Sequence, residues 1–131
     1  VPQRIASWQT GTFPASGEKV DHRIDITGQI TRPGVYLVSF DYTRGLESLQ
    51  IERVALTACP PGGGEQEIAV DIHRGRAGAT NLQHEYALRL PQYDPQVRYT
   101  LLARVGISTS QADAQNRTSQ GDIHWRQVKE D

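Results

Sequence analysis

Val70-Asp71-Ile72-His73-Arg74-Gly75-Arg76-Ala77-Gly78-Ala79-Thr80-Asn81, running on into His84-Glu85-Tyr86-Ala87-Leu88-Arg89-Leu90, is the stretch whose reading decides the fold. Polar and apolar residues alternate on both flanks: Ile68, Val70 and Ile72 share one face ahead of the polar run, and Tyr86, Leu88 and Leu90 share one after it. A period of two is the spacing of a strand, because successive side chains point to opposite faces of a pleated sheet. Between the flanks, Gly75 and Gly78 are expected to supply the positive φ of a turn, which glycine adopts without a Cβ clash. The stretch predicts two strands joined as a hairpin through a polar loop. That loop gathers arginines, histidines and an asparagine, more candidate ligand-contacting groups than any other turn in the chain.

The same period recurs in both directions. Residues 4–8 form a short first strand; in residues 20–27, Val20, His22, Ile24 and Ile26 oppose Asp21, Arg23, Asp25 and Thr27. Arg32-Pro33-Gly34 is a turn, with proline presetting φ, and it launches residues 35–43. There Tyr36, Val38, Phe40 and Tyr42 form one face, while Val35 and Leu37 keep the other partly apolar, which places this strand inside a sheet. In residues 48–58, Leu49 and Ile51 share one parity and Val54, Leu56 and Ala58 the opposite one. A β-bulge produces that change, because one extra residue flips the following side chains to the other face. Pro60-Pro61-Gly62-Gly63-Gly64 and Pro91-Gln92-Tyr93-Asp94-Pro95 read as connections. Val97, Tyr99, Leu101, Ala103 and Val105 point inward from the next strand, and Ile123 and Trp125 from a last one opening at Gly121. Residues 108–120 read as a long polar loop carrying the glycosylation triplet Asn116-Arg117-Thr118. About eight strands separated by turn signals predict an all-β fold, an antiparallel β-sandwich, with a jelly roll as its natural closure.

A chain of 131 residues suits one domain with its own core. Its formal net charge of −1, with acids and bases interspersed, gives no electrostatic case for nucleic acid or an anionic membrane. No run approaches the roughly 20 apolar residues of a membrane span, so no membrane insertion is expected. The chain opens at Val1-Pro2-Gln3 without a methionine, which reads as a segment processed or excised from a larger secreted protein. Cys59 is alone, so it forms no intramolecular disulfide and reads as a small core-edge side chain.

Catalytic chemistry finds little support. A glycosidase needs two carboxylates roughly 5 to 9.5 Å apart, and nothing singles out a pair among Asp21, Asp25, Asp41, Glu67 and Asp71. His22, His73, His84 and His124 lack metal-ligand spacing, and nucleophile-elbow, phosphate-loop and dinucleotide motifs are absent. The expectation is a protein without a catalytic site. A structural calcium would be held by scattered oxygens, with Asp41 and Asp71 as candidate ligands. Sugar binding wants an aromatic platform flanked by planar polar groups. Trp8, Tyr42, Tyr93 and Trp125 are the platform candidates, with Tyr42 and Trp125 better read as core and Trp8 placed beside a loop. Arg44, His73, Arg74, Arg76 and Asn81 are the candidate polar partners. The guanidinium forks of Arg74 and Arg76 favour an acidic sugar.

Pro33-Gly34-Val35-Tyr36, Phe40-Asp41-Tyr42-Thr43-Arg44-Gly45 and Leu49-Gln50-Ile51-Glu52-Arg53-Val54-Ala55-Leu56 together resemble galactose-binding-like β-sandwich domains, accessory modules of bacterial glycoside hydrolases. The resemblance continues through Asp71-Ile72-His73-Arg74-Gly75-Arg76-Ala77-Gly78, Asn81 and Tyr86-Ala87-Leu88, and covers residues 5–127. The Pro60–Gly64 stretch and the arginines of the loop depart from the pattern. The resemblance implies a non-catalytic carbohydrate-binding module, secreted, periplasmic or on the cell surface, beside a catalytic domain in its parent chain. The alternative is a structural or protein-interaction sandwich that serves as a spacer without a small-molecule ligand.

Overall fold

The computed structural model describes residues 2–14, 16–107 and 118–130. Among these residues eight strands form in chain order: β1 (Gln3–Gln9), β2 (Val20–Asp25), β3 (Gly34–Gly45), β4 (Leu49–Cys59), β5 (Gln66–Ala77), β6 (Glu85–Leu90), β7 (Arg98–Ile107) and β8 (Ser119–Glu130). Short 3-10 turns at Thr10–Thr12 and Thr27–Gln29 are the only helical segments among the described residues. The strands make two antiparallel four-stranded sheets, in the orders β1-β8-β3-β6 and β2-β7-β4-β5. The expected eight-stranded antiparallel sandwich is therefore the observed one. The pairing is nested: β4 with β5, β3 with β6, β2 with β7 and β1 with β8.

The core lies between the sheets and follows the alternation. Tyr36, Val38 and Phe40 of β3, Tyr99, Leu101, Ala103 and Val105 of β7, and Ile123 and Trp125 of β8 are all buried. Tyr36 stacks on Trp125 with ring centroids 4.7 Å apart. β3 is interior, between β8 and β6, as its two partly apolar faces require. The expected bulge of β4 is present: its register with both neighbours shifts between Ile51 and Arg53. Leu49, Ile51, Val54 and Leu56 consequently all reach the core despite their mixed parity.

Four expectations change. The last strand begins at Ser119, not Gly121, and residues 108–117 of the expected polar loop, with Asn116 and Arg117 of the triplet, lie outside the described residues. The stretch around Gly75 is not a hairpin, because β5 and β6 belong to different sheets and the chain crosses between them. Nor does Gly75 or Gly78 take a positive φ; Gly75 lies within β5, and in this connection the positive φ belongs to Gln83, at 43°. Gly75 is there for closeness: a Cβ on it would fall 2.5 Å from Tyr86 Oη and 2.6 Å from the Gln83 carbonyl oxygen. The parity of β5 also inverts the usual rule. Ile68, Val70 and Ile72 are exposed on the outer face, while Ala69, Asp71 and His73 occupy the less exposed alternate positions. β5 and β6 are edge strands that face each other where the sheets meet, so Asp71 and His73 encounter polar backbone.

Candidate functional site

The six expected ligand-binding residues do not converge. Trp8 is only 2% exposed, and its indole packs where a Cβ on Gly121 would fall 2.5 Å from Cζ2. Trp125 is buried in its stack with Tyr36, the Tyr42 hydroxyl donates to the Gly45 carbonyl, and Tyr93 stacks on Tyr99. None of the tryptophan, tyrosine or phenylalanine side chains is exposed. Arg44 is exposed at the end of β3 and donates to Gln120 Oε1 at 3.4 Å. Arg74 sits on the outer surface beside Lys19 and Glu52.

The other three hold the connection between β5 and β6. The His73 ring lies flat on Tyr86, centroids 3.9 Å apart, with Nδ1 3.2 Å from the Arg74 carbonyl oxygen and Nε2 3.1 Å from that of Glu85. Tyr86 donates its hydroxyl to the His73 carbonyl at 2.9 Å. Burial first, and the Asp71 charge second, push its phenol well above the ordinary tyrosine range. Arg76 Nε donates to the Thr80 carbonyl at 3.1 Å, and Asn81 Oδ1 accepts the Gly78 N–H at 3.1 Å. An Asx side chain closing a turn on nearby backbone explains Asn81 without a ligand.

The two expected calcium ligands are also apart in their contacts. Asp71 Oδ2 accepts the Ala87 N–H at 2.9 Å. Asp41 accepts from Ser39 Oγ at 2.8 Å and from His124 Nδ1 at 2.6 Å. Among the described residues, no three His, Cys, Asp or Glu side chains are grouped to hold a metal. Among the described residues, the one buried acidic oxygen without a partner is elsewhere. Glu47 is 1% exposed, its Oε1 accepts from Thr10 Oγ1 at 3.2 Å, and its Oε2 has no hydrogen-bond partner.

A different site emerges on the outer face of the first sheet. An open depression of about 640 Å³ is lined by Pro2, Leu37, Ser39, Asp41, Glu85, His124 and Arg126. Strand register builds it: Ser39 of β3 lies between His124 of β8 and Glu85 of β6, and Leu37 lies between Arg126 and Ala87. Outward-facing polar residues from three strands thereby become one surface. The Asp41 carboxylate takes the His124 Nδ1 hydrogen, leaving Nε2 of that ring for a ligand. On its other side His84 Nδ1 is 3.6 Å from Asp41 Oδ1 and donates to the Phe40 carbonyl at 2.8 Å. Ser39 donates to the carboxylate and not to an imidazole nitrogen, so the three groups do not form a nucleophilic triad. The depression offers carboxylate acceptors at Asp41 and Glu85, an imidazole, and a guanidinium donor at Arg126. Sequence reading singled out Asp41 alone among them, for calcium. The signal for the rest was the outward parity of β3 and β8, which identifies neighbours only once the pairing is known.

No protein-family model matches the chain, and no curated protein is detectably similar to it.

Proposed function

We propose that this domain is a non-catalytic, carbohydrate-binding accessory module of a secreted glycan-degrading enzyme, and that its glycan lies in the depression on the outer face of the first sheet. The observation that carries the reading is the convergence of Asp41, Glu85, His124 and Arg126 on one open surface. Carboxylate and imidazole acceptors beside a guanidinium fork can recognise the vicinal hydroxyls of a sugar, and Arg126 can take an acidic substituent. The nested strand pairing supports a jelly-roll closure, which agrees with the resemblance in sequence. A catalytic domain in the parent chain would supply the chemistry. Where a structural calcium is present, the orphaned oxygen of Glu47 offers it a better anchor than Asp41 or Asp71, whose carboxylates are already engaged.

The test is binding of the folded domain to a panel of neutral and acidic glycans, with and without a calcium chelator, compared across two sets of variants. Glu85→Gln and Arg126→Ala should each weaken binding about tenfold, roughly the worth of one charge-assisted hydrogen bond. Arg74→Ala and Arg76→Ala should leave it unchanged. The reverse pattern would return the site to the loop after Asp71. One observation favours the second reading, a spacer or protein-interaction sandwich: no aromatic side chain is exposed to stack on a sugar ring. Silence of a folded domain across the panel would select it.

A further inference from the structure

We propose that the open edge of β5 pairs antiparallel with β5 of a second copy of this chain, about a two-fold axis at Val70. β5 borders its sheet, and among the described residues no hydrogen bond reaches the backbone of residues 66–72 from the side away from β4. The open length ends where Tyr86 caps the His73 carbonyl and Leu82 pairs with both backbone groups of Arg76. Its register with β4 shifts at Ile68, opposite Leu56/Thr57, and again between Ile72 and Gly75, opposite Ile51/Arg53, so its regular part runs from Ala69 to Ile72. Natural sheets blunt such an edge with proline, lysine, an inward-pointing charge, a bulge or a covering loop, and of these the stretch has the bulge at Ile68 and Asp71, whose carboxylate is engaged by the Ala87 N–H. Residues 66–72 contain neither proline nor lysine. Instead Ile68, Val70 and Ile72 stand 37%, 42% and 65% exposed. Across the sheet, Val70 lies beside Ala55 and Ala55 beside Leu102, while the ion pairs Arg53–Glu67, Arg104–Asp21 and Arg23–Glu65 stand around that row. Exposed Ile68, Val70 and Ile72 beside these ion pairs have the apolar centre and polar rim of a protein interface.

The occupant follows from the strand's own pattern. Ile68 and Ile72 are symmetric about Val70, acids precede them at Glu65 and Glu67, and bases follow at His73, Arg74 and Arg76. An antiparallel two-fold sets Val70 against Val70 and Ile68 against Ile72. It also brings the Arg74 end of each copy to the Glu65–Glu67 end of the other. Arg74 is exposed and its side chain makes no hydrogen bond or ion pair among the described residues, so it is available for that pairing. Glu67 accepts from Arg53, and Glu65 from Arg23 and Thr57, which leaves each carboxylate further acceptor positions. A parallel arrangement would instead oppose acid to acid. This inference is independent of the glycan reading, because the depression belongs to the other sheet.

Sedimentation velocity of the whole chain, from about micromolar to hundreds of micromolar, the usual span of weak protein association, should show a monomer–dimer equilibrium. Val70→Lys should raise its dissociation constant at least about tenfold. Cross-strand neighbours at a two-fold axis lie about 4.5–5.5 Å apart at Cα, within disulfide reach. In a Cys59→Ser background, Val70→Cys should therefore form a covalent dimer under mild oxidation, while Val128→Cys on the other sheet should not. A monomer at every concentration, a dimer indifferent to Val70→Lys, or equal cross-linking at both positions would overturn the proposal. If Val70→Lys does not fold, the cysteine pair decides.

Discussion

The carboxylate of Asp71 on β5 accepts the backbone N–H of Ala87 on β6, at 2.9 Å, although the two strands belong to different sheets. Two residues on, His73 Nε2 meets the Glu85 carbonyl on the same edge. Polar side chains of one edge strand thus satisfy the unpaired backbone of the other, and the seam is sealed against further strand addition on the β6 side.

Asp71→Ala should destabilise the domain by about 1.5 kcal/mol, the lower end for a hydrogen bond to a charged group, because the seam is partly solvated. Asp71→Asn keeps an acceptor and should recover part of the loss. Urea midpoints of the two variants at constant m-value measure the difference.

Gly75→Ala should cost more. Its Cβ would meet the Tyr86 hydroxyl and the fixed Gln83 carbonyl, and overpacking of this kind costs about 1–3 kcal/mol. In the Gly75→Ala/Tyr86→Phe double variant only the clash with the hydroxyl is relieved, so most of the loss should remain. Full recovery would mean that the Gln83 backbone yields.

Burial holds His22 below its ordinary value of 6.5. The unfolded ring therefore takes up a proton in a window where the folded ring does not. Its contribution to stability is complete above 6.5 and is lost as pH falls toward the lowered folded value. Urea midpoints from about pH 7.5 down to about pH 5.5, the range in which histidine titrates, should fall more steeply for the native chain than for His22→Gln. Tyr86 has the opposite sign: its raised phenol makes stability fall as pH rises above 10, and Tyr86→Phe should flatten that limb.

Trp8 and Trp125 are 2% and 3% exposed and neither lines the depression. Tryptophan emission should therefore be that of buried indoles and should not shift when a glycan binds. A shift on binding would move the site toward β1, where Trp8 borders a smaller surface hollow with Phe13 and His22.

How much could be read in advance differs from strand to strand. β3, β7 and β8 were legible because they are interior or face a continuous core, so their apolar parity and their buried parity coincide. The bulge in β4 was legible for the same reason, since both halves of the strand had to reach one core. β5 was not. Its apolar parity faces outward, because at an edge its other face meets the backbone of β6 rather than a hydrophobic layer. Gly75 was likewise recognisable as special, but not whether for its φ or for its missing Cβ.

The order of polar and apolar residues by itself determined a sandwich of about eight antiparallel strands, since alternation is a local property of each strand. Only the tertiary structure decided which residues share a surface. Ser39, Glu85 and His124 are far apart in the chain and become neighbours solely through the register of β3 with β6 and β8. Of the six expected ligand-binding residues, four follow Asp71 closely in the chain, yet Arg74 faces outward from β5 while His73, Arg76 and Asn81 bond the connection to β6, and Trp8 is buried elsewhere. Register is a pairwise property of strands, set by long-range packing and turn geometry, and no single strand's sequence contains it.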